Sequence, residues 1–211
     1  MKPERKTKHA QREASIEALL HAALGLFVSQ GYEQTTVEMI AVRAGLSKGS
    51  VYFYFDSKEG LLYALFDGIN KVIIGRMLET LSAAGPTAKD KIAAFVNGQA
   101  ELGVSDPDRV MLLILISLEF HGRGGRIEER AREIYAQMYA ALEDVIRMGR
   151  GSGDFSDHLP VKEQAAIIVA GHDGTFLEWY RRRTEFDGYE LVRALRISML
   201  AGLTSQRDLI G

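Results

Sequence analysis

The chain is 211 residues long, 46% hydrophobic and 26% charged, with a formal net charge of −2 and no cysteine. Those figures exclude a disordered chain and a disulfide-stapled or thiolate-zinc domain, and a charge so near zero selects neither nucleic acid nor an acidic partner. The longest apolar run, Val110 to Leu118, falls short of the roughly 20 residues of a membrane-spanning helix, and no apolar leader follows the basic start, so a cytoplasmic protein without membrane contact is expected.

Apolar residues recur at helical spacing throughout, and no alternating strand pattern interrupts them, so the predicted fold class is all-α. An N-terminal arm, residues 2–12, carries Lys2, Arg5, Lys6, Lys8 and Arg12 against Glu4 alone. The first helix is predicted over 12–30: Ile16, Leu19, Leu20, Ala23, Leu26 and Phe27 make one buried stripe, and Gly31 supplies the left-handed residue that ends it. Thr35 with Glu38 three residues on forms a capping box for a second, short helix, with Thr36 as the competing cap. Val37, Ile40, Ala41 and Ala44 face inward, and Gly45 stops it. Only Leu46 and Ser47 separate that stop from a helix over 48–55, which makes the pair a helix-turn-helix.

Asp56 and Ser57 cap a long fourth helix through Leu61, Leu62, Leu65, Phe66, Ile69 and Ile73 to about Leu81, closing at Gly85-Pro86, a candidate joint. Further helices are predicted over 88–104, 108–121, 125–149, 161–184 and 187–207. Between the last three, Gly149 to Pro160 is the longest loop and the one expected to move most.

The set Phe27, Gly31, Tyr32, Thr35, Thr36, Ile40, Ala41, Ala44, Gly45, Ser47, Gly49, Tyr52, Tyr54, Phe55, Ser57, Lys58, Leu61 and Leu62 resembles the DNA-binding segment of the TetR family of transcriptional regulators. The resemblance is tight over residues 12–65 and architectural beyond them. It implies a DNA-binding domain with its basic arm over residues 1–57 and a helical ligand-sensing and dimerisation domain over 58–211. Phe53 and Lys48 stand at positions where the family varies, which leaves the operator sequence open.

On the DNA face, short and long donors are needed for phosphates and base edges. Helix N-termini at Thr36 and Ser47 favour an anion, and Gly49 lets the backbone come close. Lys48 and Ser50 can reach either base edges or phosphate. Tyr52 and Tyr54 resemble the family's aromatic phosphate contacts. Lys58 is unfavourably placed for the dipole of its own helix, which points to an external anion, and Arg43 can face the groove edge. Phe53 is either core or a contact to a thymine methyl group; Val51 and Phe55 are core. One such unit is small, so a homodimer on a palindromic operator is expected, with half-sites about 34–36 Å apart.

The two final helices carry Ala166, Ala170, Gly171 and Gly174, then Leu191, Leu195, Ser198, Met199, Ala201 and Gly202, faces suited to close packing in a two-fold dimer. An effector pocket among the middle helices is expected to draw on Phe95, Gln99, Met111, Leu115, Phe120, Tyr135, Met138, Tyr139, His172, Phe176 and Trp179, and to suit a small hydrophobic or amphipathic molecule. The histidines form no metal signature: His172-Asp173 are adjacent and do not share a helical face, and Glu119 with His121 is an i, i+2 pair. Arg181-Arg182-Arg183 reads as a set of cations at a helix C-terminus rather than a second nucleic-acid patch.

No nucleophile, general base, metal or cofactor site emerges, so an enzyme is not expected. The reading is a ligand-released repressor. Its rivals are a ligand-activated regulator and a small-molecule sensor whose reading head no longer functions.

Overall fold

The computed structural model describes residues 8–182 and 184–204, so Lys2, Arg5 and Lys6 of the basic arm, and Arg183, lie outside the described residues. The described regular structure is helical, as expected: α1 (Lys8–Gln30), α2 (Val37–Arg43), α3 (Lys48–Phe55), α4 (Lys58–Ile69), a π-helical turn (Asn70–Ile74), α5 (Gly75–Ala83), α6 (Ala88–Ser105), α7 (Pro107–Glu119), α8 (Arg126–Gly151), α9 (Val161–Arg182) and α10 (Gly188–Thr204). Among the described residues no helix is long and apolar enough to cross a membrane.

The chain divides into two compact units, Met1–Ile69 with Asp108–Ala131, and Asn70–Pro107 with Arg132–Gly211. In the first, α1 packs on α2 and α4, and α3 bridges α2 and α4. Leu19, Ala23 and Phe27 of α1 meet this core with Ile40, Val51, Leu61, Leu62 and Phe66, all of them fully buried. A fully buried side chain of this size contributes about 1.5–3 kcal/mol. In the second unit, α6 packs against α5, α9 and α10, and α9 against α10.

Three local features differ from the sequence reading. The N-cap of α2 is Thr36, whose hydroxyl accepts from the Met39 N–H at 3.2 Å. Thr35 is buried, and its hydroxyl donates to the Gly31 carbonyl at 2.8 Å, so no capping box forms from Thr35. The expected long fourth helix is broken by the π turn at Asn70–Ile74, where one extra residue per turn re-aims the face that follows.

The third is the loop after α8. It is pinned rather than loose: Phe155 is 4% exposed, its N–H donates to the Gly149 carbonyl at 3.0 Å, and a Cβ on Gly149 would overlap the Phe155 ring. The Ser156 N–H donates to the Leu203 carbonyl at 2.9 Å. Arg150 donates to the Leu159 carbonyl and, at 2.7 Å, to Gln164. Phe155→Ala is therefore expected to cost about 3–5 kcal/mol in urea or guanidinium unfolding, the range for emptying a buried aromatic site. A loop that swung freely would give a loss under about 0.5 kcal/mol.

Candidate functional site

The turn between α2 and α3 rests on Gly45, at φ +68°, and on the Leu46 N–H, which donates to the Ala41 carbonyl at 2.9 Å. Ser47 then caps α3: its hydroxyl accepts from the Ser50 N–H at 3.2 Å and shares a hydrogen bond with the Ser50 hydroxyl at 2.9 Å. These bonds present the first turn of α3 outward, with Ser47, Lys48 and Gly49 exposed. Val51 is fully buried beneath it, while Phe55, expected as core, is only half-buried.

Phe53 is 76% exposed, which removes the core alternative for it, and its ring meets Tyr54 edge-on at 4.9 Å. Tyr52 (46% exposed) and Val42 (79%) are uncovered on the helix-turn-helix too. Exposed aromatic and aliphatic groups beside hydroxyls and a helix N-terminus make a surface that can meet both thymine methyls and phosphates.

Two cations of this region, Lys48 and Lys58, have partners within the chain. Lys48 pairs with Glu38 of α2, which keeps the Glu38 carboxyl below the usual range and the Lys48 ammonium above its own. The Arg43 guanidinium lies beside Gly25 of α1, where a Cβ would come within 3.1 Å of it. Lys58, expected to need an external anion, donates to the Tyr32 carbonyl at 2.9 Å and sits 4.2 Å over the Tyr32 ring. Neither the carbonyl nor the ring carries a charge that would answer the ammonium.

Tyr32 is itself a hub. It is 8% exposed, with Phe27 at 5.1 Å and Phe120 at 5.4 Å between ring centroids, and burial pushes its phenol up to about 12. Arg123 lies 5.1 Å over the Phe120 ring and pairs with Glu33 at 2.8 Å. Phe120, expected in the effector pocket, thus belongs to the first unit and supports the α1–α2 connection. Gly60 was missed by the sequence reading: a Cβ there would overlap the Phe55 carbonyl oxygen, so α3 and α4 can meet only at glycine. A glycine in the first turn of a helix, three residues after a turn, was the available signal.

The second unit holds a cavity of about 600 Å³ bounded by α6, α9 and α10. That volume lies within the usual 300–1,000 Å³ of small-molecule sites. Gln99, His172, Phe176 and Trp179 line it from α6 and α9, and Gly103 admits the Phe176 ring, 3.0 Å from where a Cβ would stand. Arginines 193 and 196 also border it. Arg196 donates to the Asn97 amide oxygen at 2.9 Å and Arg193 to Glu190 at 3.0 Å.

Other expected pocket residues stand elsewhere. Phe95 lies behind the lining, its ring 6.1 Å from His172 and edge-on to it. Met111 and Leu115, like Phe120, belong to the first unit, where α7 buries Val110 to Ile114 and Ile116. Met138 is buried in the stripe of α8, and Tyr135 and Tyr139 of α8 stack on each other at 6.2 Å. His172 has its partner on the same helix: its Nδ1 is 3.0 Å from one Asp173 oxygen, and the Tyr135 hydroxyl donates to the other at 3.0 Å. The helix separates their Cα directions, but the short carboxylate reaches round to its neighbour's ring.

The expected dimer face is split by the structure. Ala166, Ala170 and Gly174 of α9 and Ser198, Ala201 and Gly202 of α10 are exposed. Leu191 and Leu195 line the cavity instead, and Met199 is buried where a Cβ on Gly171 would come within 2.6 Å of its methyl. The basic end of α9 is neutralised locally, Arg181 by Glu178 at 2.9 Å and Arg182 by Glu185 at 2.8 Å. Among the described residues no group of three acidic or imidazole side chains is placed to hold a metal.

The family model described as "Bacterial regulatory proteins, tetR family" matches residues 19–65, which span α2, α3 and most of α1 and α4. The fatty acid metabolism regulator protein of Bacillus subtilis is 26% identical over 193 residues, 92% of this chain and 97% of that protein. The crystal structure of the MbdR regulator from Azoarcus sp. CIB is 44% identical, with a TM-score of 0.82, covering 90% of this chain and 100% of that one. The structure of FadR from Bacillus subtilis in complex with stearoyl-CoA is 26% identical, with a TM-score of 0.73, over 88% of this chain and 98% of that one.

Proposed function

The chain belongs to the TetR family of bacterial regulatory proteins, and we propose that it is a repressor that binds a palindromic operator as a homodimer and is released by an amphipathic effector of the acyl-CoA kind. The observation that carries the reading is one chain holding both an outward-facing helix-turn-helix and a separate cavity large enough for a ligand. Its relatives are regulators rather than enzymes.

In this reading residues 1–57 read DNA. Thr36, Ser47, Tyr52 and Tyr54 bind phosphates, Gly49 allows the close approach, and Phe53 meets a thymine methyl. Lys48 and Ser50 contact base edges or phosphates, Lys48 after exchanging Glu38 for the DNA, and Arg43 borders the groove. Residues 58–211 sense and dimerise. The exposed small residues Ala166, Ala170, Gly174, Ser198 and Gly202 form the two-fold face, supported by their exposure on adjacent helices of a chain whose relatives regulate DNA.

Three features favour the effector class. The FadR relative is described with stearoyl-CoA. The cavity wall has apolar residues such as Phe176, Trp179 and Leu195 for an acyl chain. Arg193 and Arg196 at its border are matched to the phosphates of a CoA group. Release follows if the effector binds a non-reading geometry more tightly, with a coupling of about 1–3 kcal/mol. The helical run from α4 through the π turn into α5 starts at the reading head and enters the second unit, and π turns within helices are frequent at functional sites.

The test is a fluorescence-anisotropy titration with DNA from the region upstream of the gene, at two salt concentrations, against Lys48→Ala/Tyr52→Ala. The wild type is expected to bind tightly. The double variant is expected to bind more weakly, with a salt slope flatter by about 0.9 for each phosphate it no longer neutralises. Wild-type affinity no better than about 10⁻⁴–10⁻⁶ M, the non-specific level, contradicts the reading.

A further inference from the structure

The cavity contains a polar device that its ligand must answer. His172 is 6% exposed and lines the cavity from α9. Its Nδ1 lies 3.0 Å from Asp173 Oδ1, and the hydroxyl of Tyr135, on α8, donates to Asp173 Oδ2 at 3.0 Å. An ionised carboxylate only accepts hydrogen bonds, so the nitrogen that faces it carries the proton. In a neutral imidazole this fixes the tautomer and leaves Nε2 with a lone pair.

The ring is held from more than one side. Phe95 of α6 meets it edge-on at 6.1 Å, and Tyr139 stacks on Tyr135 at 6.2 Å, where burial first, and the Asp173 charge after it, push the Tyr139 phenol up. His172 borders the cavity, so a ligand seated there can bring a donor to the ring's other nitrogen.

We propose that His172, fixed by Asp173 and Tyr135, is a hydrogen-bond acceptor for the effector and selects ligands that carry an N–H or O–H group at that point along their length. This rests on the reading of the cavity as the effector site and narrows the effector's chemistry. The amide N–H and hydroxyl groups of a pantetheine arm meet the requirement; a plain hydrocarbon or an ester does not. Asp173 and Tyr135 are positioning residues in this scheme, acting through the ring.

Asp173→Asn separates this role from a merely structural one. The carboxamide can donate to Nδ1, which moves the imidazole proton to Nε2 and turns the acceptor into a donor. The probes are decanamide and N,N-dimethyldecanamide, which share a carbonyl and chain and differ in the N–H. Binding is followed by the fluorescence of Trp179, the single tryptophan, which lines the cavity. The wild-type chain is expected to prefer the primary amide about tenfold, the size of one hydrogen bond to a buried partner. Asp173→Asn is expected to lose that preference; a difference due to the bulk of the two methyl groups would persist in it.

A second readout needs no ligand. Nitrogen-15 NMR of histidine-labelled full-length protein, with the His172 signals assigned by their loss in His172→Gln, is expected to show Nδ1 protonated and Nε2 bare in the wild type. Asp173→Asn is expected to reverse the two. Equal binding of the two amides by the wild type, or a proton on its Nε2, overturns the proposal. Either result leaves the repressor reading standing, because that reading fails only on operator binding and its release.

Discussion

Gly60→Ala is expected to lower operator affinity by about 100-fold while leaving the cavity able to bind its ligand. The reason is local and steric. Gly60 lies in the first turn of α4, where its N–H donates to the Ser57 hydroxyl at 2.9 Å, just past a turn that holds Asp56 at φ +61°. A methyl group there would overlap the Phe55 carbonyl oxygen and lie 3.1 Å from its carbon. Those atoms are the backbone at the end of α3 and cannot rotate away as a flexible side chain can.

The recognition helix must therefore shift. Hydrogen bonds to phosphates and base edges tolerate only a few tenths of an ångström, and breaking a bidentate pairing with a base costs about 1–3 kcal/mol. Two such losses give the expected factor. Anisotropy against operator DNA measures the first half of this prediction, and ligand titration followed by Trp179 fluorescence measures the second. Wild-type operator affinity in Gly60→Ala would show that α3 does not need its present position against α4.

Ala100→Phe is expected to give a repressor that binds operator normally and responds to effector only at much higher concentration. Ala100 is half-buried on α6 and lines the cavity beside Gln99 and Gly103. A benzyl group on that wall projects into space that the ligand would occupy, and it does so far in sequence from α2 and α3. Effector concentrations for half-release are expected to rise at least tenfold, equivalent to about 1.4 kcal/mol of weakened binding. Unchanged release by effector would place the ligand outside the cavity between α6, α9 and α10. Unchanged thermal unfolding would separate a blocked cavity from a damaged fold.

The reading head was legible because local chemistry decides it. Gly45 needs a positive φ, Ser47 caps the helix behind it, and α3 runs from Lys48 to Phe55 as the spacing predicts. The choice between Thr35 and Thr36 was not legible, since both can cap; burial of Thr35 against the Gly31 carbonyl decided it. The π turn left no trace in the pattern because Ile69, Ile73 and Met77 keep a spacing that an uninterrupted helix would also show.

In the second unit, periodicity told which residues are covered but not by what. Leu191 and Leu195 read as a stripe for a partner subunit, yet they face the cavity; Ala166 and Ala170 read the same way and are exposed. Residue type alone suggests a pocket for Phe120 and Met111, and tertiary placement puts them in the first unit. Adjacent residues on a helix point apart, which argues against a shared metal face for His172 and Asp173 but does not show that the carboxylate can reach the neighbouring ring.

The most direct test of the central claim joins the two sites in one cuvette. Labelled operator is saturated with wild-type protein and stearoyl-CoA is added, with operator anisotropy and Trp179 fluorescence recorded at each step. The account predicts that anisotropy falls to the value of free DNA over the concentration range in which the Trp179 signal changes. A Trp179 signal that saturates while the operator stays bound would contradict it.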